Sequence, residues 1–544
     1  MFLLEILYLI SAIALAAYGF NSLFHAWLFW RSSSSSERRS QWPGIPHLAS
    51  KSPGVDPSDD LEATDRSEST TPHVTIQLPI YNERHVAARL VEAVLELQWP
   101  SKELQIQILD DSSDDTSDII AATLARHKPF KMAVEHIRRP NRIGFKAGAL
   151  QHGLCSSQSG FVAIFDADFI PPPDFLHRTI PAFHDNQVGC IQTRWGHVNP
   201  HTSLLTEAQS LGIDGHFRIE QYVRDQIGAF LNFNGTAGVW RRACMDDAGG
   251  WQHDTLTEDL DLSYRAQLAG WRIAYQVDVP VPAELPVQID AFKRQQFRWA
   301  KGSLQTARKL LIRLWRSSSQ PPWRKILGTL HLTNYMVHPF MVLNLLLLLP
   351  ISFSQSPVLY AAPFMTTAAI GPPIMYWLAM REQDLPIWTK IRKLSILMAL
   401  GTGLSINNTK AALEAFTGIE SEFKRTPKFA LAASENASPS AASSSSASSY
   451  PISSRSGLSD TSQNSTLSEE SWYHSSYALA RHSLAWLELA MALYALYLLL
   501  YCIQSGMWWM LIWILMYVTG YGYIALLAFQ QSWQIRQARS ALQV

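Results

Sequence analysis

The chain has 544 residues, with 45 Lys+Arg against 45 Asp+Glu, 47% hydrophobic residues and only 17% charged ones. Zero net charge excludes a protein that holds nucleic acid through its overall field, and so low a charged share says that part of the chain avoids water. Cys155, Cys190, Cys244 and Cys502 stand far apart with no CxxC pair, which excludes a disulfide framework and a cysteine zinc site.

In chain order, residues 1–30 are almost wholly apolar, with Glu5 as the only acid. This predicts a retained transmembrane helix rather than a cleaved signal. Arg31, Arg38 and Arg39 follow it and place the next segment in the cytoplasm. Residues 31–72, rich in Ser, Pro and acids, read as a flexible linker. From residue 73 to 325, short apolar runs (Val74–Leu78, Ile106–Leu109, Phe161–Phe165, Val188–Ile191) alternate with helical patterns at Asn82–Leu97 and Asp115–His127. Strands apolar on both faces, alternating with helices, predict a mostly parallel sheet covered by helices.

Residues 326–380 read as a transmembrane pair, Ile326–Ser352 and Pro357–Met380. Residues 381–430 hold a shorter apolar stretch, Leu394–Asn407, read as interfacial or re-entrant, with a sixth span across 391–409 as the alternative. Residues 431–476 are a Ser/Ala-rich linker that cannot form a core. Residues 477–530 carry a second pair, Leu484–Ile503 and Met507–Phe529, and 531–544 form a tail. A count of five puts Arg381, Lys390, Arg392, Lys393, Arg536 and Arg539 on the cytoplasmic side. The expectation is a multi-pass integral membrane protein of about five or six spans with a cytoplasmic α/β domain.

In open α/β sheets, ligands bind outside the carboxyl ends of the strands. Two apolar runs here end in acids, Asp110-Asp111 and Asp166-Ala167-Asp168. Such pairs can project toward one divalent cation, or merely start turns and cap helices. Thr257-Glu258-Asp259 precedes a helical run; it is ordinary N-terminal helix design, or it supplies a general base. Gln295-Gln296-Phe297-Arg298-Trp299 lies in the helical stretch Asp290–Leu311. There Arg298 suits a diphosphate and Trp299 a sugar face. Alternatively this is an interfacial helix whose Lys293, Arg294, Lys301 and Arg308 snorkel to the bilayer surface.

Taken in order, Asp110-Asp111, Asp166-Ala167-Asp168, Thr257-Glu258-Asp259 and Gln295–Trp299 resemble the D, DxD, TED, QxxRW series of processive family 2 glycosyltransferases. Pro79–Glu83, Lys146–Leu150, Phe233–Trp240 and Glu284-Leu285-Pro286 are similar to the cellulose synthase-like A and C groups, which make β-mannan and β-glucan backbones. The resemblance covers about residues 73–430. It implies a Rossmann-like GT-A domain joined to a helical membrane bundle, and an inverting enzyme that needs no covalent nucleophile. It also implies roles. Tyr81, Glu83 and Asp110 or Asp111 would hold base and ribose, and Lys146 would approach the diphosphate. Asp166 and Asp168 would hold the donor and its Mg²⁺ or Mn²⁺. Asp259, beside Glu258, would deprotonate the acceptor hydroxyl. Gln295, Arg298 and Trp299 would bind diphosphate and acceptor, with Asn234 and Gly235 on the acceptor side.

Glu422–Lys428 is similar to the gating loop of bacterial cellulose synthase and would bring Thr426 and Lys428 over the nucleotide, although Arg425 and Pro427 depart from that pattern. A basic loop bound to anionic lipid is the other reading. His331, Asn334, Tyr335 and His338 recur at near-helical spacing in an apolar segment and would line a polysaccharide path, or bond between helices. The expected donor is GDP-mannose or UDP-glucose, and the expected acceptor a growing β-glycan. Two rivals remain: a non-processive enzyme that glycosylates a lipid, and a transporter or scaffold with an inactive transferase domain. The second predicts missing acidic or QxxRW residues, and all are present.

Overall fold

The computed structural model describes residues 1–33, 71–354, 356–360, 367–381, 383–419, 425–431, 472–479 and 484–541. The two linkers expected at 31–72 and 431–476 therefore lie almost wholly outside the described residues, as do Glu422, Phe423 and Lys424.

The soluble domain is built on one seven-stranded sheet: β1 (Val74–Ile80), β2 (Leu104–Asp110), β3 (Ala133–Ile137), β4 (Phe161–Ile164), β5 (Val188–His197), β6 (Gly238–Arg241) and β7 (Arg272–Ala283). The order is β3-β2-β1-β4-β6-β5-β7. Strands β1, β2, β3 and β4 pair in parallel, β6 runs antiparallel to both β4 and β5, and β5 pairs in parallel with β7. This is the mixed, mostly parallel sheet of a GT-A-like fold. Strand alternation divides the core between the two faces. Ile76, Leu78, Ala163 and Phe165 pack on one side; Val162, Ile164, Leu150 and Trp240 pack on the other. On that second side Gln77 is buried, its amide nitrogen donating to Gln107 Oε1 at 3.0 Å.

Because β1, β2 and β4 run the same way, their carboxyl ends meet on one edge. They deliver Tyr81 and Glu83, Asp110-Asp111, and Asp166-Ala167-Asp168 together. The helix expected from Asn82 begins at Ala87 instead. Asn82 takes φ 53°, a left-handed turn that swings Glu83 back over the sheet edge.

Among the described residues, four helices are long and apolar enough to cross a membrane: Phe2–Ser32, Asn334–Phe353, Ala485–Gln504 and Trp508–Ala541. One expected span takes new bounds. The stretch Ile326–Ser352 is broken at Thr333, whose φ of −105° and ψ of 12° leave the helical region, so Pro322–Leu332 is a separate helix and the span starts at Asn334. Of Pro357–Met380, residues 361–366 lie outside the described residues; the helix described there is Gly371–Ala379, with Pro372 and Pro373 in its first turn, where the absent N–H groups cost nothing. The 391–409 stretch forms parts of two helices, Ile387–Gly403 and Ser405–Thr417. The first lies so close to Leu511–Ala541 that a Cβ on Gly403 would stand 2.4 Å from Gly520 O. Such glycine contacts let helix backbones approach in an apolar setting.

Candidate active site

At the end of β2 the two aspartates separate. Asp110 turns into the domain, accepting from Ser112 N at 2.8 Å, Ser117 Oγ at 2.6 Å and His136 at 2.9 Å. Burial alone would raise its pKa, but these bonds outweigh it and hold the carboxyl well below its usual range. Asp110 is thus a structural knot. Asp111 lines the cleft instead, paired with Arg139, whose Nε donates at 3.0 Å. Arg142 lies over the Tyr81 ring with its guanidinium carbon 3.3 Å from the centroid, so this flat slot already stacks a planar cation.

The helix Phe145–Ser156 begins after Gly144 in the left-handed region (φ 74°), where a side chain would be strained and its Cβ would press on Gly148. That start aims Lys146 inward. Its ammonium donates to Asp166 Oδ1 at 2.5 Å and to Gly235 O at 2.8 Å. Gly235 has φ 82°, and a Cβ there would lie 2.8 Å from Asp259 Oδ2. A glycine is therefore required where the Phe233–Ala237 turn passes the third acid.

Thr257 precedes the helix Glu258–Leu268 but makes no capping bond; its hydroxyl faces Thr306 Oγ1 at 3.2 Å. The N-cap reading of this motif accordingly lacks its hydrogen bond. A Cβ on Gly302 would meet Thr257 N at 2.8 Å, so a glycine lets the helix Ile289–Arg316 dock on the acidic turn. Burial pushes Asp259 up to about 7, with Glu258 adding to the rise and Lys146 opposing it; burial raises Glu258 as well. Arg298, buried among these groups, is lowered by burial while Glu258, Asp166, Asp259 and Asp168 oppose that shift. One guanidinium is thus in the field of four carboxylates, where an anionic leaving group would collect.

Two of the four cations expected to snorkel from this helix are buried instead. Lys293 is buried against Glu488 at 2.6 Å, Lys301 against Glu414 at 2.9 Å, and Arg308 donates to Ala415 O. The helix is fastened to other helices by desolvated pairs, which need their partners to be tolerable at all.

Residues Arg425–Leu431 close the cleft from the other side. Arg425 meets Glu83 at 2.6 Å, Lys428 meets Asp168 at 2.5 Å, and Phe429 N donates to Glu284 at 2.6 Å. Thr426 and Lys428 are both buried and line the cleft, and Thr426 Oγ1 has no partner among the described residues. Burial pushes Glu83 up to about 8 despite Arg425.

Tyr81, Glu83, Asp111, Lys146, Asp166, Asp168, Asn234, Gly235, Glu258, Asp259, Gln295, Arg298, Trp299, Thr426 and Lys428 therefore surround one cavity of about 160 Å³; Asp110 does not. Asp166 and Asp168 offer hard oxygen donors at its centre. Among the described residues no group of three or more His, Cys, Asp or Glu is arranged to hold a metal alone. Two carboxylates, with substrate phosphates completing the shell, are nevertheless the usual donor set for Mg²⁺, and the two ammonium groups now on them mark a place that favours positive charge. The residues present fit such an ion.

Reading single motifs did not reveal Arg139, Arg142, Arg425 or Trp195. The basic run Arg138-Arg139-Pro140-Asn141-Arg142, just ahead of Lys146, was the available signal for the first two.

Residues 72–302 match a family model described as "Glycosyltransferase like family 2". Residues 72–302 are thus similar to a family 2 glycosyltransferase domain. It is 42% identical over 275 residues, half of this chain, to glucomannan 4-beta-mannosyltransferase 1 of Oryza sativa subsp. japonica, covering 52% of that protein. To glucomannan 4-beta-mannosyltransferase 2 of Arabidopsis thaliana it is 36% identical over 347 residues, 62% of this chain and 61% of that one. The chain thus spans a little over half the length of these curated relatives. A mannosyltransferase from Pyrobaculum calidifontis, solved with GDP-Man and Mn²⁺, aligns with a TM-score of 0.47 and 20% identity over 77% of this chain and all of that one, a likeness too loose for comparing sites.

Proposed function

We propose that the protein is an inverting, membrane-embedded hexosyltransferase that extends a β-linked mannan or glucomannan from a cytoplasmic nucleotide sugar, GDP-mannose first. One observation carries this reading. Asp259, Gln295, Trp299, Asn234 and Trp195 line both the donor cleft and a second cavity of about 670 Å³ that runs among the membrane helices. A chain extended at Asp259 would enter that cavity directly. His331, Asn334, Tyr335 and His338 all line it, as the polysaccharide-path reading requires. The kinship with glucomannan 4-beta-mannosyltransferases supports the choice of hexose.

In this reading Tyr81, Glu83 and Asp111 hold base and ribose, and Arg142 leaves the Tyr81 face to the base. Asp166 and Asp168 would hold Mg²⁺ or Mn²⁺ on the diphosphate, where a divalent ion supplies charge neutralisation of the leaving group. Lys146 and Arg298 stabilise the same negative charge. Trp299 presents the acceptor ring. Asp259, close to neutrality in its pKa, takes the proton of the attacking hydroxyl, with Glu258 raising its basicity. Arg425, Thr426 and Lys428 cover the donor.

The test is to supply the full chain in proteoliposomes with radiolabelled GDP-mannose or UDP-glucose and Mn²⁺, then digest the product with mannanase or glucanase. A mannanase-sensitive polymer is expected. A single labelled glycolipid would instead establish the lipid-acceptor enzyme, and no transfer from either donor would restore the inactive-domain alternative.

A further inference from the structure

Between β5 and the membrane helices, residues Gly215–Gln221 form a π-helical turn. Such turns are rare, cost hydrogen-bond geometry, and recur at functional positions. This one faces the large cavity with His216, Phe217 and Glu220, none of which lines the donor cleft. Trp299 lines both, so the π-turn lies beyond it on the membrane side.

The polar groups on this turn are tightly ordered. His216 Nδ1 donates to Glu220 Oε2 at 3.0 Å, which leaves Nε2 to accept from Asn234 Nδ2 at 3.2 Å. Arg224, fully buried, donates to Glu220 Oε1 at 3.1 Å. A carboxylate has about four acceptor positions, and two are used here. Burial disfavours the charge on Glu220, yet Arg224 and His216 outweigh it and keep the carboxylate ionised.

Around this anion the cavity wall offers complementary features. Trp195 stacks on Phe217 at 5.2 Å and stands 6.4 Å from Trp299, giving flat apolar faces. Cavity-lining Asn232 and His25 each bury a side-chain atom, Oδ1 and Nε2, that has no partner among the described residues. A buried polar atom without a partner destabilises the state that leaves it so. A ligand that restores those bonds carries several hydroxyls and a flat C–H face, which is a pyranose.

We propose that His216 and Glu220 form a sugar-binding subsite for a β-linked hexosyl unit of the acceptor, on the membrane side of Trp299, with Glu220 accepting from its hydroxyls. The subsite rests on the polymerising function proposed above. It holds the chain between successive transfers and so controls how long each chain grows.

The test uses the full chain in proteoliposomes with Mn²⁺ and radiolabelled GDP-mannose or UDP-glucose, reading mean product length and donor KM for the parent, Glu220→Gln and His216→Asn. Losing one charge-assisted hydrogen bond should shorten the product of Glu220→Gln about tenfold. His216→Asn should shorten it less, and donor KM should move less than about twofold in both, since neither residue lines the donor cleft. Should Glu220→Gln fail to fold because Arg224 is left unpaired, His216→Asn decides alone, as it removes no buried charge. Unchanged length in folded variants, or length falling only in step with a rising donor KM, overturns the subsite while the polymerising function stands. A parent that makes no chain from either donor overturns that function and the subsite with it.

Discussion

In the donor cleft four acids meet cations: Asp111 with Arg139, Glu83 with Arg425, Asp166 with Lys146 and Asp168 with Lys428. In the adjoining membrane cavity, Asn21, His25, Asn232 and His338 each bury a polar atom with no partner among the described residues. The first arrangement suits a ligand with concentrated charge, because a diphosphate and a cation can displace pairs that already balance one another. The second suits a neutral, hydroxyl-rich ligand, which satisfies dispersed polar atoms without bringing charge into the membrane. Asp259 stands at the junction and borders both.

The comparison breaks most completely if Asp259→Asn leaves sugar transfer intact. Loss of a general base should lower kcat by about 10²–10⁴-fold with donor binding largely kept, measured as initial transfer rate and nucleotide-sugar KM. Next comes Arg298→Ala, which removes the guanidinium that faces four carboxylates and the expected leaving group. It should cost about 10²-fold or more in kcat/KM. Arg298→Lys should recover only part of this, because an ammonium lacks the forked donors.

A smaller effect concerns pH. Asp259 must be ionised to act as a base, and its pKa is raised to about 7. The rate should therefore rise with pH and level off above neutrality, with about a tenfold drop per unit on the acid side. Because burial and Glu258 cause the rise, Glu258→Gln should shift the acid limb of the kcat profile to lower pH. An unmoved limb would separate that limb from Asp259.

The sheet was legible wherever a strand is buried on both faces. Val74–Ile80, Leu104–Asp110 and Phe161–Ile164 announce themselves as apolar runs. Edge strand β3 is half exposed and β7 carries Pro280 and Pro282, so neither gives such a run. The acids were legible because strand ends bring them together by topology; Asp110 and Asp111 could be told apart only by the direction each side chain takes at the strand end. In the membrane region, composition reveals apolarity but not continuity, and the helix break at Thr333 passed unseen. Lys293 and Lys301 read as surface cations because their partners, Glu488 and Glu414, lie more than a hundred residues away along the chain.

The finest test of the contrast lies in two glycines of one membrane helix. A Cβ on Gly520 would stand 2.5 Å from Ala399 O and 2.9 Å from Gly403 N, both backbone atoms that cannot swing aside, whereas a Cβ on Gly522 meets nothing within 4 Å. Gly520→Ala must therefore push apart two helices, and overpacking of this kind costs about 1–3 kcal/mol. Gly522→Ala removes backbone freedom from a helix interior without a clash and should be neutral or stabilising by up to about 1 kcal/mol. Thermal unfolding in detergent should thus move in opposite directions, or fall for Gly520→Ala alone, for substitutions two residues apart. Since neither residue lines the donor cleft, donor KM should stay near that of the parent in both. Equal destabilisation by the two would mean that the close approach of Gly403 and Gly520 does not hold these helices together, and that the cavity walls are set by other contacts.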